Sequence, residues 1–243
     1  MMLEESKPRI TQADLQGIPD FDFYRPVFSP WLGYGEFSAF YQEARPFTLV
    51  SADRCYILYS LALQSLHLDG HWYEAGVYKG GTAAMLTKIL NEKGGTKQKE
   101  LHLFDSFAGM PETAGIDLVQ KGNFNDTSLE EVESRIDSAA PNFRKVSFHK
   151  GFVPLTFRGL ESHRISFAHI DVDIYQAVKD CCDFIYPRLQ NGGIMVFDDY
   201  GFQTCPGARK AVDEFFLNKH EVPLILPTGQ AVVIRVRLDS VTN

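Results

Sequence analysis

The chain has 243 residues and a net charge of −7, from 24 basic and 31 acidic side chains; 44% of its residues are hydrophobic and 23% charged. That composition excludes a disordered, collagen-like or disulfide-scaffold protein, and its length suggests one large domain, with or without appendages. No apolar run approaches the roughly 20 residues of a membrane-spanning helix. The acidic balance argues against a general nucleic-acid binder, which carries a basic face.

The N-terminus has no apolar h-region, so a cytoplasmic protein is expected. Four cysteines (Cys55, Cys181, Cys182, Cys205) show no CxxC spacing and read as reduced thiols.

In chain order, residues 1–50 come first as an arm or cover. The stretch to residue 47 is crowded with rings, among them Phe21, Phe23, Tyr24, Phe28, Trp31, Tyr34, Phe37, Phe40 and Tyr41. A disordered tail rarely carries so many. They fill core, or they form a cover or a subunit contact; the latter would make a homo-oligomer. The main domain is expected to span 51–243.

Residues 51–67 have helical spacing, with Cys55, Leu58, Tyr59, Ala62 and Leu66 on one face and Ser51 and Asp53 as a start signal. From residue 72 short apolar runs alternate with helical stretches. Strands are predicted over 71–78, 101–106, 145–151, 165–173, 193–199, 223–229 and 231–237, and helices over 81–92, 128–137, 175–189 and 206–219. Such alternation means an α/β fold, a mostly parallel sheet with helices on both faces. The last two strands are joined only by a Pro-Thr-Gly turn, which permits only an antiparallel hairpin. Seven strands ending so give the Rossmann-like layout of class I methyltransferases. Residues 111–127, rich in turn formers, read as a long loop near the strands' carboxyl ends and a lid over them, or as an inert surface insertion.

Ligands of open parallel sheets bind beyond the carboxyl ends of the strands. The first strand runs through Glu74 and Gly76 into Tyr78, Gly80, Gly81 and Thr82. This is not the G-x-G-x-x-G spacing of a dinucleotide site, and no P-loop Gly-Lys-Ser/Thr follows. A carboxylate two residues before the first glycine repels a diphosphate but welcomes an ammonium. S-adenosylmethionine, cationic and free of phosphate, matches such a loop. At the end of strand two, Asp105 can accept hydrogen bonds from ribose hydroxyls, with Ser106 beside it. After strand three, Gly151 and Phe152 can flank an adenine ring.

Strand four ends in Asp171 and Asp173, and strand five in Asp198 and Asp199. Alternation puts Asp171 and Asp173 on one face. Four carboxylates at adjacent strand ends repel unless a counter-charge joins them; a hard divalent cation resolves this. Mg²⁺ fits best, with Mn²⁺ or Ca²⁺ open, and no Cys or His cluster is placed for zinc.

Together these motifs resemble the macrocin O-methyltransferase family, which includes the novobiocin and mycinamicin sugar O-methyltransferases. The resemblance covers about residues 50 to 235: Glu74 to Gly81, Asp105 to Pro111, His169 to Tyr175, Leu189 to Ile194 with Asp198 to Gly201, and Gly207 to Phe215. It implies methyl transfer from S-adenosylmethionine to a hydroxyl of a small molecule, assisted by Mg²⁺. It makes Asp171, Asp198 and Asp199 the metal ligands and Asp173 the proposed base, with Glu74, Gly76, Asp105 and Asp171 at the cofactor. Related catechol-type enzymes carry a lysine base where this chain has Ile174, so that base is excluded. His149 and His169 are reserve bases, His169 lying one step deeper in its strand. The rival readings are a nicotinamide oxidoreductase, a non-catalytic binding module and an RNA methylase.

Overall fold

The computed structural model describes residues 29–33, 35–94, 98–113 and 115–236. The chain divides into two compact units, residues 1–30 and 31–243, and the sheet belongs to the second. Phe21, Phe23, Tyr24, Phe28 and Tyr34, predicted as part of an aromatic arm, lie outside the described residues.

Seven strands form one sheet: β1 His71–Ala75, β2 Leu101–Asp105, β3 Val146–Lys150, β4 Ile165–Ile170, β5 Leu189–Phe197, β6 Leu224–Ile225 and β7 Ala231–Ile234. Their order is β3-β2-β1-β4-β5-β7-β6. β7 runs antiparallel to both of its neighbours, and all other pairs are parallel. Every residue of β4 is buried, as a strand covered on both faces requires.

Strand alternation sorts the side chains into two cores. Trp72, Leu103, Phe167 and Val196 face one side, under α1 Phe37–Ala44, α2 Ala52–Ser65 and α3 Gly81–Lys93; Val132 and Ile136 of α4 Leu129–Ala139 join them. Tyr73, Phe104, Ala168 and Phe197 face the other side, under α5 Tyr175–Ile185 and α6 Pro206–Phe216. All four cysteines are free and buried. Among the described residues no helix is long and apolar enough to cross a membrane.

The second unit begins at Trp31, not at residue 51 as predicted. The reason is hydrophobic: Phe37, Phe40 and Ala44 of α1 are buried in the first core, each ring contributing about 1.5–3 kcal/mol. Other boundaries moved for backbone reasons. Helix α5 stops at Ile185 because Pro187 has no amide hydrogen to continue the helical ladder, and a 3₁₀ turn, Tyr186–Arg188, follows. Strand β5 begins at Leu189, four residues before the predicted start at Gly193, since Leu189 pairs with Ile165 of β4 and Gly192 and Gly193 exchange backbone hydrogen bonds with Arg235. The predicted strand 223–229 shrinks to β6, because Leu226 to Gln230 form the hairpin turn.

The link from β1 to α3 depends on Gly76, whose φ is +84°, and a Cβ there would sit 1.7 Å from the Asp171 carbonyl oxygen. At Gly115 (φ +73°) a Cβ meets nothing within 4 Å. Gly115→Ala should cost only about 1–2 kcal/mol, the left-handed penalty. Gly76→Ala should cost more than about 4 kcal/mol, because backbone must move as well. Urea denaturation of the two variants measures the difference.

Candidate active site

The carboxyl ends of the parallel strands surround a cavity of about 540 Å³, within the range of small-molecule and cofactor sites. Of the residues predicted for the cofactor, Gly76, Tyr78, Thr82, Asp105, Ser106, Gly151, Phe152 and Asp171 line it, with Asp173 and Asp199. Tyr78 is itself left-handed, with φ 49°.

Asp105 is the anchor of the glycine loop. One carboxylate oxygen accepts from the amides of Val77 (2.8 Å) and Tyr78 (2.9 Å), the other from the amide of Phe107 (2.8 Å). A ribose-binding acid at this position therefore also fixes the loop that a cofactor would contact.

Three of the predicted loop residues lie off the cavity wall. Glu74 is fully buried beneath the cavity, not on its wall, and bonds His169 Nδ1 at 2.8 Å. Gly80 caps α3 at φ +76°, and a Cβ there would lie 2.7 Å from Val132. At Gly81 a Cβ would lie 2.7 Å from the Ala44 carbonyl oxygen. At both glycines the absence of a Cβ permits close helix packing.

Segment 111–127 contains no helix or strand among its described residues. Pro111, Glu112 and Phe124 line the cavity. Asp126 accepts from the Tyr78 hydroxyl (2.9 Å) and Lys79 (2.6 Å), and Asp117 accepts from the Tyr175 amide at the start of α5 (2.8 Å). The segment is thus tied to both the glycine loop and α5.

Strand β4 ends at Ile170, three residues earlier than predicted. The chain then turns, with Asp173 at φ 58° and its amide donating to the Asp199 carboxylate at 2.8 Å. The turn brings Asp171, Asp173 and Asp199 to one wall.

Asp198 departs from the predicted ligand set: it is fully buried and absent from that wall. The Arg54 guanidinium donates to one of its oxygens, and Gln230 Nε2 donates to the other at 2.8 Å. His169 Nε2 lies 3.6 Å from it. Burial alone would raise the Asp198 pKa; the bond to His169 and the charges of His169 and Arg54 reverse that and hold it below the usual carboxylate range. Burial works against a charged His169 too, but hydrogen bonding to Asp198 and Glu74 lifts its pKa well above the ordinary value.

The other acids lack such a partner. Burial, with repulsion from Asp198 and Asp199, pushes Asp171 well up. Burial and the charges of Asp173 and Asp198 do the same to Asp199, and burial raises Asp173. The wall thus carries more acidic groups than compensating positive charge.

The reserve bases also lie off the cavity wall. His169 is sealed beneath the cavity between Glu74 and Asp198. His149 lies off the cavity wall, bonded to His102 Nδ1 at 2.9 Å and stacked on Phe104. No Cys or His cluster was expected to be placed for zinc at the acids, and one thiol lies beside them. Cys205 Sγ donates to Asp173 at 3.3 Å, and His71, His102 and His163 gather elsewhere.

Sequence reasoning missed Arg54 and Gln230. Arg54 lies in the first turn of α2, 144 residues from Asp198, and no local pattern links the two.

Solved structures with this fold include the O-methyltransferase NovP (TM-score 0.70, 22% identity, 79% of this chain and 83% of that one). Another is the calicheamicin methyltransferase CalS11 (TM-score 0.67, 21% identity, 74% and 77%). The fold is that of the class I O-methyltransferases. The macrocin O-methyltransferase (TylF) family model matches residues 52–229, and the chain belongs to that family.

Curated relatives include the tetracenomycin rhamnosyl 4'-O-methyltransferase of Streptomyces olivaceus, 27% identical over 61% of this chain and 58% of its own length. The mycinamicin III 3''-O-methyltransferase of Micromonospora griseorubida is 27% identical over 61% of each. The matched region thus spans less than two thirds of these relatives.

Arg54→Ala leaves Asp198 a buried charge short of its main cation and should cost about 3–5 kcal/mol. Lys79→Ala breaks an exposed pair with Asp126 and should leave the denaturation midpoint nearly unchanged. Denaturant midpoints of both variants check this.

Proposed function

We propose that the chain is an S-adenosylmethionine-dependent O-methyltransferase acting on a hydroxyl of a small molecule, a sugar or natural-product moiety, with a divalent cation at the acidic wall. The observation that carries this reading is one cavity bearing both halves of the chemistry. The loop held by Asp105, with Gly151 and Phe152, forms one side, and Asp171, Asp173 and Asp199 form the other. Family membership and relatives named for methylating glycosylated antibiotics support it.

The donor set fits a hard cation. Asp171 and Asp199 are deeply placed carboxylates whose raised pKa values report missing positive charge. Asp171 and Asp199 would hold Mg²⁺, and Asp198 would join them only on release by Arg54. The ion would supply Lewis acidity that makes an alcohol easier to ionise and fixes its oxygen.

The remaining work belongs to the protein's own side chains. Asp105 accepts from three loop amides and keeps one acceptor site for a ribose hydroxyl. Phe152, 47% exposed in this ligand-free form, offers a face to adenine. Asp173 takes the acceptor's proton, since burial brings its pKa toward working pH and makes it a stronger base than a solvated aspartate. Pro111, Glu112 and Phe124 shield the reacting groups from water.

Two outcomes follow. Asp105→Ala should weaken S-adenosylmethionine binding roughly 10-fold or more, since it removes ribose contacts worth about 1.5–3 kcal/mol and frees the loop; calorimetry reads this, and unchanged affinity contradicts the assignment. Asp199→Asn should lower kcat roughly 100-fold or more with cofactor affinity within a few-fold of wild type. Chelator treatment should abolish methyl transfer and Mg²⁺ restore it. A chelator-resistant enzyme sinks the cation but leaves the methyl donor standing.

A further inference from the structure

Four of the chain's seven histidines meet at the sheet, away from the cavity. His71 opens β1, His102 is the second residue of β2, His149 is in β3, and His163 lies in the loop before β4. Ring centroids are 4.7 Å apart for His71 and His163, 4.9 Å for His102 and His163, and 5.2 Å for His71 and His102. One ligating atom from each of these three lies within 4.8 Å of the others.

We propose that His71, His102 and His163 form a structural site for Zn²⁺ or a similar borderline divalent cation, distinct from the acidic wall of the cavity.

Polar atoms without partners carry this assignment. His71 Nδ1 and His102 Nε2 are buried and make no hydrogen bond among the described residues, and His102 is only 3% exposed. Leaving buried nitrogens unpaired costs free energy that a bound cation removes. The neighbours already set the tautomers a metal needs. His102 Nδ1 lies 2.9 Å from His149 Nε2, so an Nδ1–H donating there leaves the His102 Nε2 lone pair free. His163 Nδ1 lies 2.8 Å from the Tyr73 hydroxyl, and the same tautomer frees its Nε2. Imidazole ligands are commonly fixed in this way by a second partner.

A fourth donor is at hand. Glu100 Oε2 lies 3.7 Å from His102 Nε2, close to the ~3.3 Å between ligands of a tetrahedral zinc ion. Glu100 is partly exposed, which gives the cation a route in. Burial lowers the pKa of His71 and takes that of His102 down to about 3, so both rings are neutral and ligand-competent at physiological pH. Three imidazoles and one carboxylate suit zinc, whereas Mg²⁺ demands oxygens. A cation there would tie the entry of β4 to β1 and β2, away from the strand ends where chemistry occurs.

The test is calorimetric titration of the chelator-stripped full chain with Zn²⁺ alone, in a Cys205→Ser background that removes the thiol from the acidic wall. One equivalent that excess Mg²⁺ does not displace should bind and raise Tm. Adding His163→Gln, a change in a partly exposed loop, should weaken binding roughly 100-fold or more and abolish the Tm shift. Co²⁺ in the Cys205→Ser protein should give the intense visible bands of a tetrahedral nitrogen–oxygen site. Equal affinity with and without His163, no binding in the Cys205→Ser protein, or only the weak bands of octahedral Co²⁺ would overturn the proposal.

Discussion

Burying carboxylates without enough positive charge is the constraint on which the site depends. Four aspartates lie at the ends of β4 and β5, and the protein neutralises them unequally. Asp198 receives Arg54, His169 and Gln230 and stays ionised. Asp171, Asp173 and Asp199 face the cavity with pKa values raised by burial. A fold that keeps such a wall gives up stability, which the proposed cation would restore.

The constraint reaches into the scaffold. Glu74, His169 and Asp198 run as an alternating acid–base–acid chain beneath the cavity floor. It links β1, β4 and β5, the central strands of the sheet. Gly76 lets the ends of β1 and β4 approach, and Asp105 bonds the loop that follows β1. Loss of any one of these contacts would move the loop and the acids together, so affinity for the cofactor and geometry of the reaction are coupled through the backbone.

The seven-stranded fold was legible because its signals are local. Apolar runs alternating with amphipathic stretches, and a Pro-Thr-Gly turn too short for a crossover, gave the layout that the sheet order shows. Asp105, Asp171, Asp173 and Asp199 were legible as strand-end acids, and the cavity gathers them. Three features were not. Arg54 meets Asp198 across 144 residues. The glycines Gly80 and Gly81 read as ligand contacts, and only tertiary structure reveals their close packing against Val132 and Ala44. The histidine cluster draws one residue from each of several strands or their entry loops, a spacing that no metal motif in a linear chain displays.

Diffraction from crystals of the full chain grown with S-adenosylhomocysteine and Mn²⁺, with anomalous data collected, tests the central claim most directly. The expected map has the nucleoside between Asp105 and Phe152 and an anomalous peak among Asp171, Asp173 and Asp199. A cofactor bound elsewhere, or a cavity holding the cofactor with no peak at those three carboxylates, would contradict it.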